Sequence, residues 1–218
     1  MLLNNNPIED SGIEFLVNAL VLKYDNHFKN EIKRNCMPLG ILGLSNCAIS
    51  NKGLNEITKL IIMIKSLNKN IPINFVKGLN LYISGNAIKD NGLQLFADAI
   101  LKFHGIESLD LSKNINLKGE GIQSIIEGLQ EENSINSIDI SGNDINSQTF
   151  HRILKLIEDN IRFPTIRLNL PLKIFEKFAH EEPIELYYEF NTESKKDAVP
   201  IIKGRIARKS IIYTEQYY

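Results

Sequence analysis

The sequence predicts an α/β fold of the solenoid class: a right-handed coil with a parallel sheet inside, helices outside and a C-terminal cap. Three observations carry that prediction. A phrase of alternating apolar residues, closed by Asn or Cys and then Ile or Leu, returns along the chain. Its copies are Met1-x-Leu3-x-x-Asn6-x-Ile8, Leu42-x-Leu44-x-x-Cys47-x-Ile49, Leu81-x-Ile83-x-x-Asn86-x-Ile88, Leu109-x-Leu111-x-x-Asn114 and Ile138-x-Ile140-x-x-Asn143-x-Ile145. The copies keep a period: 41 residues from Asn6 to Cys47, 39 to Asn86, 28 to Asn114 and 29 to Asn143. Finally, each phrase runs into apolar residues at three- and four-residue intervals, the stripe of an amphipathic helix. A phrase repeating every 20 to 50 residues marks stacked units that bury a continuous core only by piling on one another.

Each element follows from this pattern. The alternating apolar pair sends two side chains per strand into the core. Where the strand turns away, its backbone polar groups would be buried unpaired, at about 1–3 kcal/mol each. An Asn side chain both donates and accepts, so at that bend it can hydrogen-bond the backbone of neighbouring turns. Gly recurs four residues after the closing Ile or Leu, as Gly12, Gly53, Gly92 and Gly121. The helical stripes follow: Ile13, Leu16, Ala19 and Leu20; Leu54, Ile57 and Leu60; Leu93, Phe96, Ala99 and Ile100; Ile122, Ile125 and Leu129. The basic unit is 28 or 29 residues, with about a dozen extra in the first two.

Several departures from the pattern carry predictions. Asn114-Ile-Asn-Leu117 has one residue more before its apolar anchor, implying a small bulge. Gly78 stands where an apolar residue would lead its strand, and Thr149 stands where Gly is usual. A sixth copy opens as Phe163-x-x-Ile166-x-Leu168, and Pro171 then takes the closing position, suited to a last strand because proline has no backbone donor.

The array is thus predicted over 1–171 and a C-terminal cap or extension over 172–218. In the latter, Leu172, Phe175 and Phe178 point to a short helix, Ile184 to Phe190 alternate as a strand, and Asn191 to Pro200 form a polar connector. The chain opens inside a repeat strand. Either an upstream segment belongs before it, or Met1 to Asn6 form an exposed edge able to pair end to end with another molecule.

Composition narrows the function. The formal net charge is -1, so no global field advertises nucleic acid or an anionic membrane. The longest apolar stretches, such as Leu60 to Ile64, fall far short of the roughly 18 residues of a membrane span, and the N-terminus does not read as a secretory signal. Cys36 and Cys47 are too few for a disulfide framework and lack metal-site spacing. Cys47, at the ladder position, is expected to be a buried free thiol, which points to a reducing, cytoplasmic setting. There is no phosphate-binding Gly-rich loop, no His-Glu-x-x-His and no Gly-x-Ser-x-Gly. His27, His104, His151 and His180 are scattered. No catalytic residue, cofactor or metal is expected.

The phrase Leu39-x-x-Leu42-x-Leu44-x-x-Cys47-x-Ile49-x-x-x-Gly53 resembles the ribonuclease-inhibitor-like subfamily of leucine-rich repeats, over about residues 1 to 170. The resemblance implies a horseshoe arc and a protein-binding concave face. Its Ile/Asn/Lys-rich style is similar to Legionella-type bacterial effectors, which implies translocation into a host cell by a specialised secretion system and a host protein as partner. The runner-up is a targeting or regulatory fragment of a larger protein, and an enzyme or nucleic-acid binder acting through the basic C-terminal tail ranks third.

On the concave side, one column is predicted to hold Leu2, Gly43, Tyr82, Asp110, Asp139 and Arg167, and the next Asn4, Ser45, Ser84, Ser112, Ser141 and Asn169. Tyr82 and Arg167 are the leading anchors, because Tyr and Arg dominate interface energetics. The full predicted protein-binding set is Gly43, Tyr82, Ser84, Asp110, Ser112, Asp139, Ser141, Arg167 and Asn169. Asp110 and Asp139 are predicted neighbours, roughly 5 Å apart along the sheet. Paired carboxylates can share a proton, yet Leu109-Asp-Leu-Ser112 and Ile138-Asp-Ile-Ser141 spell one repeat phrase twice, and a water-washed pair needs no special chemistry. Lys203, Arg205, Arg208 and Lys209 cluster near Tyr213, Tyr217 and Tyr218, a pattern that could touch phosphate, RNA or an anionic membrane but reads more simply as an amphipathic capping strand or helix. No nucleic acid is expected as partner.

Overall fold

The computed structural model describes residues 1–29, 40–67, 78–103, 106–128, 135, 137–146, 148–149 and 152, with the backbone of strands at 165–169, 185–189, 201–206 and 209–214. The chain is α/β. Its elements are α1 (Glu9–Lys29), β1 (Ile41–Gly43), α2 (Asn51–Leu67), β2 (Leu79–Tyr82), α3 (Asp90–Phe103), β3 (Ile106–Asp110), α4 (Glu120–Gly128), β4 (Ser137–Asp139), β5 (Thr165–Asn169), β6 (Glu185–Glu189), β7 (Ile201–Ile206) and β8 (Lys209–Thr214). They build one sheet in the order β1-β2-β3-β4-β5-β8-β7-β6. The pairs from β1 through β5 to β8 are parallel, and β8-β7-β6 is an antiparallel meander. Leu2 adds a parallel bridge to Gly43 on the outer side of β1.

The register decides which residues are neighbours. Leu42, Leu81, Leu109, Ile138 and Ile166 stand side by side on successive strands. Leu42, Leu81, Leu109 and Ile138 are at most 2 % exposed, as are Leu44, Ile83, Leu111 and Ile140 just beyond the strands. They share a single core cluster with Ile13 and Val17 of α1, Leu54, Ile57 and Leu60 of α2, Leu93, Phe96 and Ile100 of α3, and Ile122 and Ile125 of α4. Burying each such side chain stabilises by about 1.5–3 kcal/mol. The helices pack in sequence, α1 on α2, α2 on α3 and α3 on α4. Along β1–β4 one face of the sheet is therefore dry and the other carries the half-exposed residues between the apolar ones.

Each bend is held by one side chain that reaches back one unit. Asn86 Nδ2 donates to Leu44 O (2.9 Å) and Ile83 O (2.9 Å), while its Oδ1 accepts from the backbone N–H of Cys47 and of Ile49 (3.0 Å each). Asn114 repeats this: Nδ2 donates to Ile83 O (3.1 Å) and Leu111 O (2.9 Å), and Oδ1 accepts from Asn86 N (3.0 Å). Asn143 donates to Leu111 O (3.1 Å) and Ile140 O (2.8 Å). Cys47 is a buried free thiol whose Sγ donates to Leu3 O (3.3 Å) and Ser45 O (3.4 Å).

The residue before each ladder position is left-handed: Asn5 (φ 63°), Asn46 (55°), Gly85 (63°), Lys113 (57°) and Gly142 (71°). That conformation turns the strand outward while keeping its backbone paired. Asn5, Asn46, Gly85 and Lys113 donate their N–H to Ser45, Ser84, Ser112 and Ser141 O at 2.8–2.9 Å.

The departures now have physical causes. After Asn114 the chain makes one extra turn, closed by Leu117 N donating to Asn114 O (2.8 Å); Ile115 is 68 % exposed and Leu117 fills the core position. Asn143, which clamps back onto that lengthened turn, keeps a buried Oδ1 with no hydrogen-bond partner among the described residues. Gly78 lies against the bulge between β2 and β3, where a Cβ would come within 2.7 Å of Glu107 Cβ. Thr149 is buried against Gly119, whose φ of +115° itself disfavours a side chain. The alternation at 184–190 forms β6 as expected. Pro171, Cys36, the helix expected around Phe175, the connector at 191–200 and the boundary near 171 lie outside the described residues.

Candidate functional site

The half-exposed face of the sheet is the candidate site, and its geometry follows from the pleat. Residues opposite one another on paired strands share a face. The register places Gly43, Tyr82, Asp110, Asp139 and Arg167 in one row, as the alternation predicts. Leu2 joins its end through the bridge to Gly43 and is 66 % exposed. Gly43 is buried and lies under the first unit: a Cβ there would meet Leu2 Cδ2 at 2.7 Å and Asn4 Oδ1 at 2.8 Å. Tyr82, Asp110 and Asp139 are half-buried.

The serine column lies one step along the strands. Ser112 donates both its N–H (2.9 Å) and its Oγ (2.7 Å) to Asp110 Oδ1, and Ser141 donates the same two groups to Asp139 Oδ1 at 3.0 and 2.7 Å. The two Leu/Ile-Asp-Leu/Ile-Ser phrases thus fold into the same local turn, each carboxylate held by its own serine. Ser84 is half-buried and Ser112 is 7 % exposed. Ser45 N donates to Asn4 Oδ1 (2.8 Å), tying the first two units together on this face. Arg167 pairs in register with Asp139 and, on its other side, with Ile212; Asn169 pairs with Thr214.

Two parts of this face were not read from the sequence. A third row, Ile41, Asn80, Ser108, Ser137 and Thr165, runs beside the first, and Ser137 Oγ donates to Ser108 Oγ (2.8 Å) across β3 and β4. Its signal was available, since these positions lie two residues before the Tyr82–Asp110–Asp139 row and must share its face. The sheet also continues past β5. Through β8 and β7 to β6 the Arg167 row extends to Ile212, Lys203 and Tyr187. Lys203, Arg205 and Lys209 of the basic segment, for which a capping strand or helix was the simpler expectation, lie on β7 and β8 of the same sheet.

Among the described residues no group of three or more His, Cys, Asp or Glu could hold a metal ion. Nor is any described helix long and apolar enough to cross a membrane. Neither the protein-family models nor the curated protein sequences compared with this chain give a match.

Proposed function

We propose that the strand–turn–helix units are turns of a ribonuclease-inhibitor-like leucine-rich repeat solenoid and that the protein is a non-catalytic binding module. Its partner is a protein gripped by the half-exposed face of the sheet. The observation that carries the reading is the single row of Tyr82, Asp110, Asp139 and Arg167 on adjacent strands. A rigid core fixes their spacing and leaves side chains of the types that anchor interfaces on the uncovered face. Backbone hydrogen bonds and the Asn clamps hold that frame, so little order has to be gained on binding. The effector role in a host cell rests on the Ile/Asn/Lys-rich style and modest copy number of the repeats alone.

Affinity capture with the whole chain tests the proposal. Proteins retained by the wild type are expected to be lost with Tyr82→Ala/Arg167→Ala, while circular dichroism and the unfolding midpoint stay close to wild type. An identical set retained by the double variant, and lost only on deleting 183–218, would move the binding site off this row.

A further inference from the structure

The first unit leaves open core positions that the later units cover. Leu3 is half-buried, whereas Leu44, Ile83, Leu111 and Ile140, which hold the same place in later copies, are at most 1 % exposed. Leu16 and Leu20 of α1 are half-buried as well, while their counterparts Ile57 and Ile61 in α2 are at most 3 % exposed. The outward stripe of α1 repeats the contrast. Ala19 is exposed, but Leu60, at the same distance from its own unit's Gly, is fully buried. Phe15 and Leu22 are 77 % and 64 % exposed, against half-buried Glu56 and Met63. The difference is the neighbour: α2 has α1 packed on the side of the earlier unit, and α1 has no such helix among the described residues. Phe15, Ala19 and Leu22 therefore face the open end of the stack. The backbone is open there too. Leu3 and Asn5 donate their N–H groups to Gly43 O and Ser45 O, so those of Leu2 and Asn4 alternate to the free edge.

We propose that this end binds the same end of a second copy of the chain across a twofold axis, closing the core and continuing the sheet. The face is complementary to itself. Phe15 and Leu22 stand three and a half positions on either side of the midpoint between Asn18 and Ala19, about two turns apart on one stripe. An antiparallel second α1 thus lays each Phe15 on the other copy's Leu22, and the small Ala19 lets the helices approach where they meet. The strand obeys the same axis. Antiparallel pairing about Leu3 sets Leu2 of each copy opposite Asn4 of the other, where the free N–H and C=O groups exchange hydrogen bonds. Leu3 lies about 10 Å down its strand from the Asn6 bend. The midpoint of the α1 stripe lies about 14 Å along the helix from Glu9. One axis normal to the sheet therefore passes close to both and puts the two α1 helices on the same, core side. Such a contact closes at two copies. It is independent of the binding-module reading, which concerns the row on β2 to β5.

Sedimentation equilibrium of the full chain in reducing buffer, over a concentration series, tests the proposal. Wild type is expected to fit a monomer–dimer equilibrium. Phe15→Lys and Leu22→Glu should each raise the dimer Kd at least tenfold. Both side chains are exposed in the single chain, so circular dichroism and the urea midpoint of the monomer should stay close to wild type. Combining the two substitutions in one chain should bring the Kd back toward wild type, because the new cation at position 15 meets the new carboxylate at position 22 of the other copy. A chain that stays monomeric up to about 100 μM, a mass that climbs past two copies, or a dimer indifferent to both single substitutions overturns the proposal. A double variant no tighter than the single ones overturns the antiparallel pairing of α1 on which it is built.

Discussion

Asn86 touches two successive units at once, and its loss strands polar groups in the earlier of them. Without its side chain the N–H groups of Cys47 and Ile49 and the carbonyl of Leu44 lose a partner in a site where Asn86 is 6 % exposed, while Ile83 O keeps the donation from Asn114 Nδ2. At about 1–3 kcal/mol for each buried group left unsatisfied, Asn86→Ala should cost at least ~3 kcal/mol in urea unfolding. Asn143→Ala should cost clearly less, because Asn143 Oδ1 already lacks a partner among the described residues and only its donor bonds are lost. Equal losses for the two would contradict the clamp. Lys113 offers a gain instead. It alone among the left-handed positions before the ladder is neither Gly nor Asn. Such a conformation costs a residue with a Cβ about 1–2 kcal/mol, so Lys113→Gly should stabilise, by about 1 kcal/mol net of the backbone entropy glycine adds. The ladder itself was legible because Asn or Cys recurs at fixed intervals. The left-handed column was equally present in the letters, as Asn5, Asn46, Gly85 and Gly142, but Lys113 broke the pattern of residue types.

At the scale of elements, the helix starts are stitched by a second set of clamps that run forward rather than back. Asp10 Oδ1 accepts from Ser50 N (2.8 Å) and Gly53 N (2.9 Å), and Asn51 Oδ1 accepts from Lys89 N (2.9 Å). Asp90 accepts from the N–H groups of Lys118 (2.8 Å), Gly119 (3.1 Å) and Gly121 (2.9 Å). Each stands two residues before its own unit's Gly and caps the start of the next unit. Gly53 and Gly92 follow from that contact: a Cβ on Gly53 would lie 2.6 Å from Asp10 Oδ1 and 2.7 Å from Ile49 Cγ2, and one on Gly92 would run into Asn51, whereas one on Gly121 would meet the Asp90 backbone and one on Gly12 only Ile8. The spacing of the glycines was visible in the sequence; the cause at Gly53 and Gly92 was not, because it lies in a side chain some 40 residues earlier. Asp90→Ala should cost about 1–2 kcal/mol, the usual loss for a removed helix cap. Burial alone would raise the Asp10 carboxyl, but hydrogen bonds from the Ser50 hydroxyl, Ser50 N–H and Gly53 N–H, with the Lys52 charge, outweigh it and hold the pKa below the ordinary aspartate value. The unfolded chain therefore takes up this proton first as pH falls. The stabilisation is complete above the usual carboxyl range near ~3.9 and is lost on descending through the lower folded value. Asp10→Asn should accordingly flatten the acid limb of urea midpoints measured below about pH 4, and an unchanged limb would remove Asp10 from the account.

For the whole molecule, the decisive arrangement is the stacking of residues far apart in sequence into straight rows. The alternation in each copy predicted the row from Gly43 to Arg167 because a pleated strand leaves only two faces and the core claims one. It did not reveal that β8 pairs parallel to β5, since strand order past the last copy is a long-range choice that local pattern does not encode. Of the exposed large apolar residues, Met1, Leu2, Phe15 and Leu22 belong to the first unit, the side of the core on which no described helix packs beyond α1, while Ile41, Leu95 and Ile115 lie in later units. The stacking can be measured directly with spin labels. Ile41 and Thr165 occupy the same row four strand spacings apart and are 124 positions apart in the chain (165 − 41). With labels on Ile41→Cys and Thr165→Cys in a Cys36→Ser/Cys47→Asn background, pulsed dipolar spectroscopy should return one narrow distribution. It should correspond to a backbone separation of roughly 19 Å. A broad distribution, or one centred beyond about twice that separation, would contradict the stacked rows on which the fold, the site and the proposed function all depend.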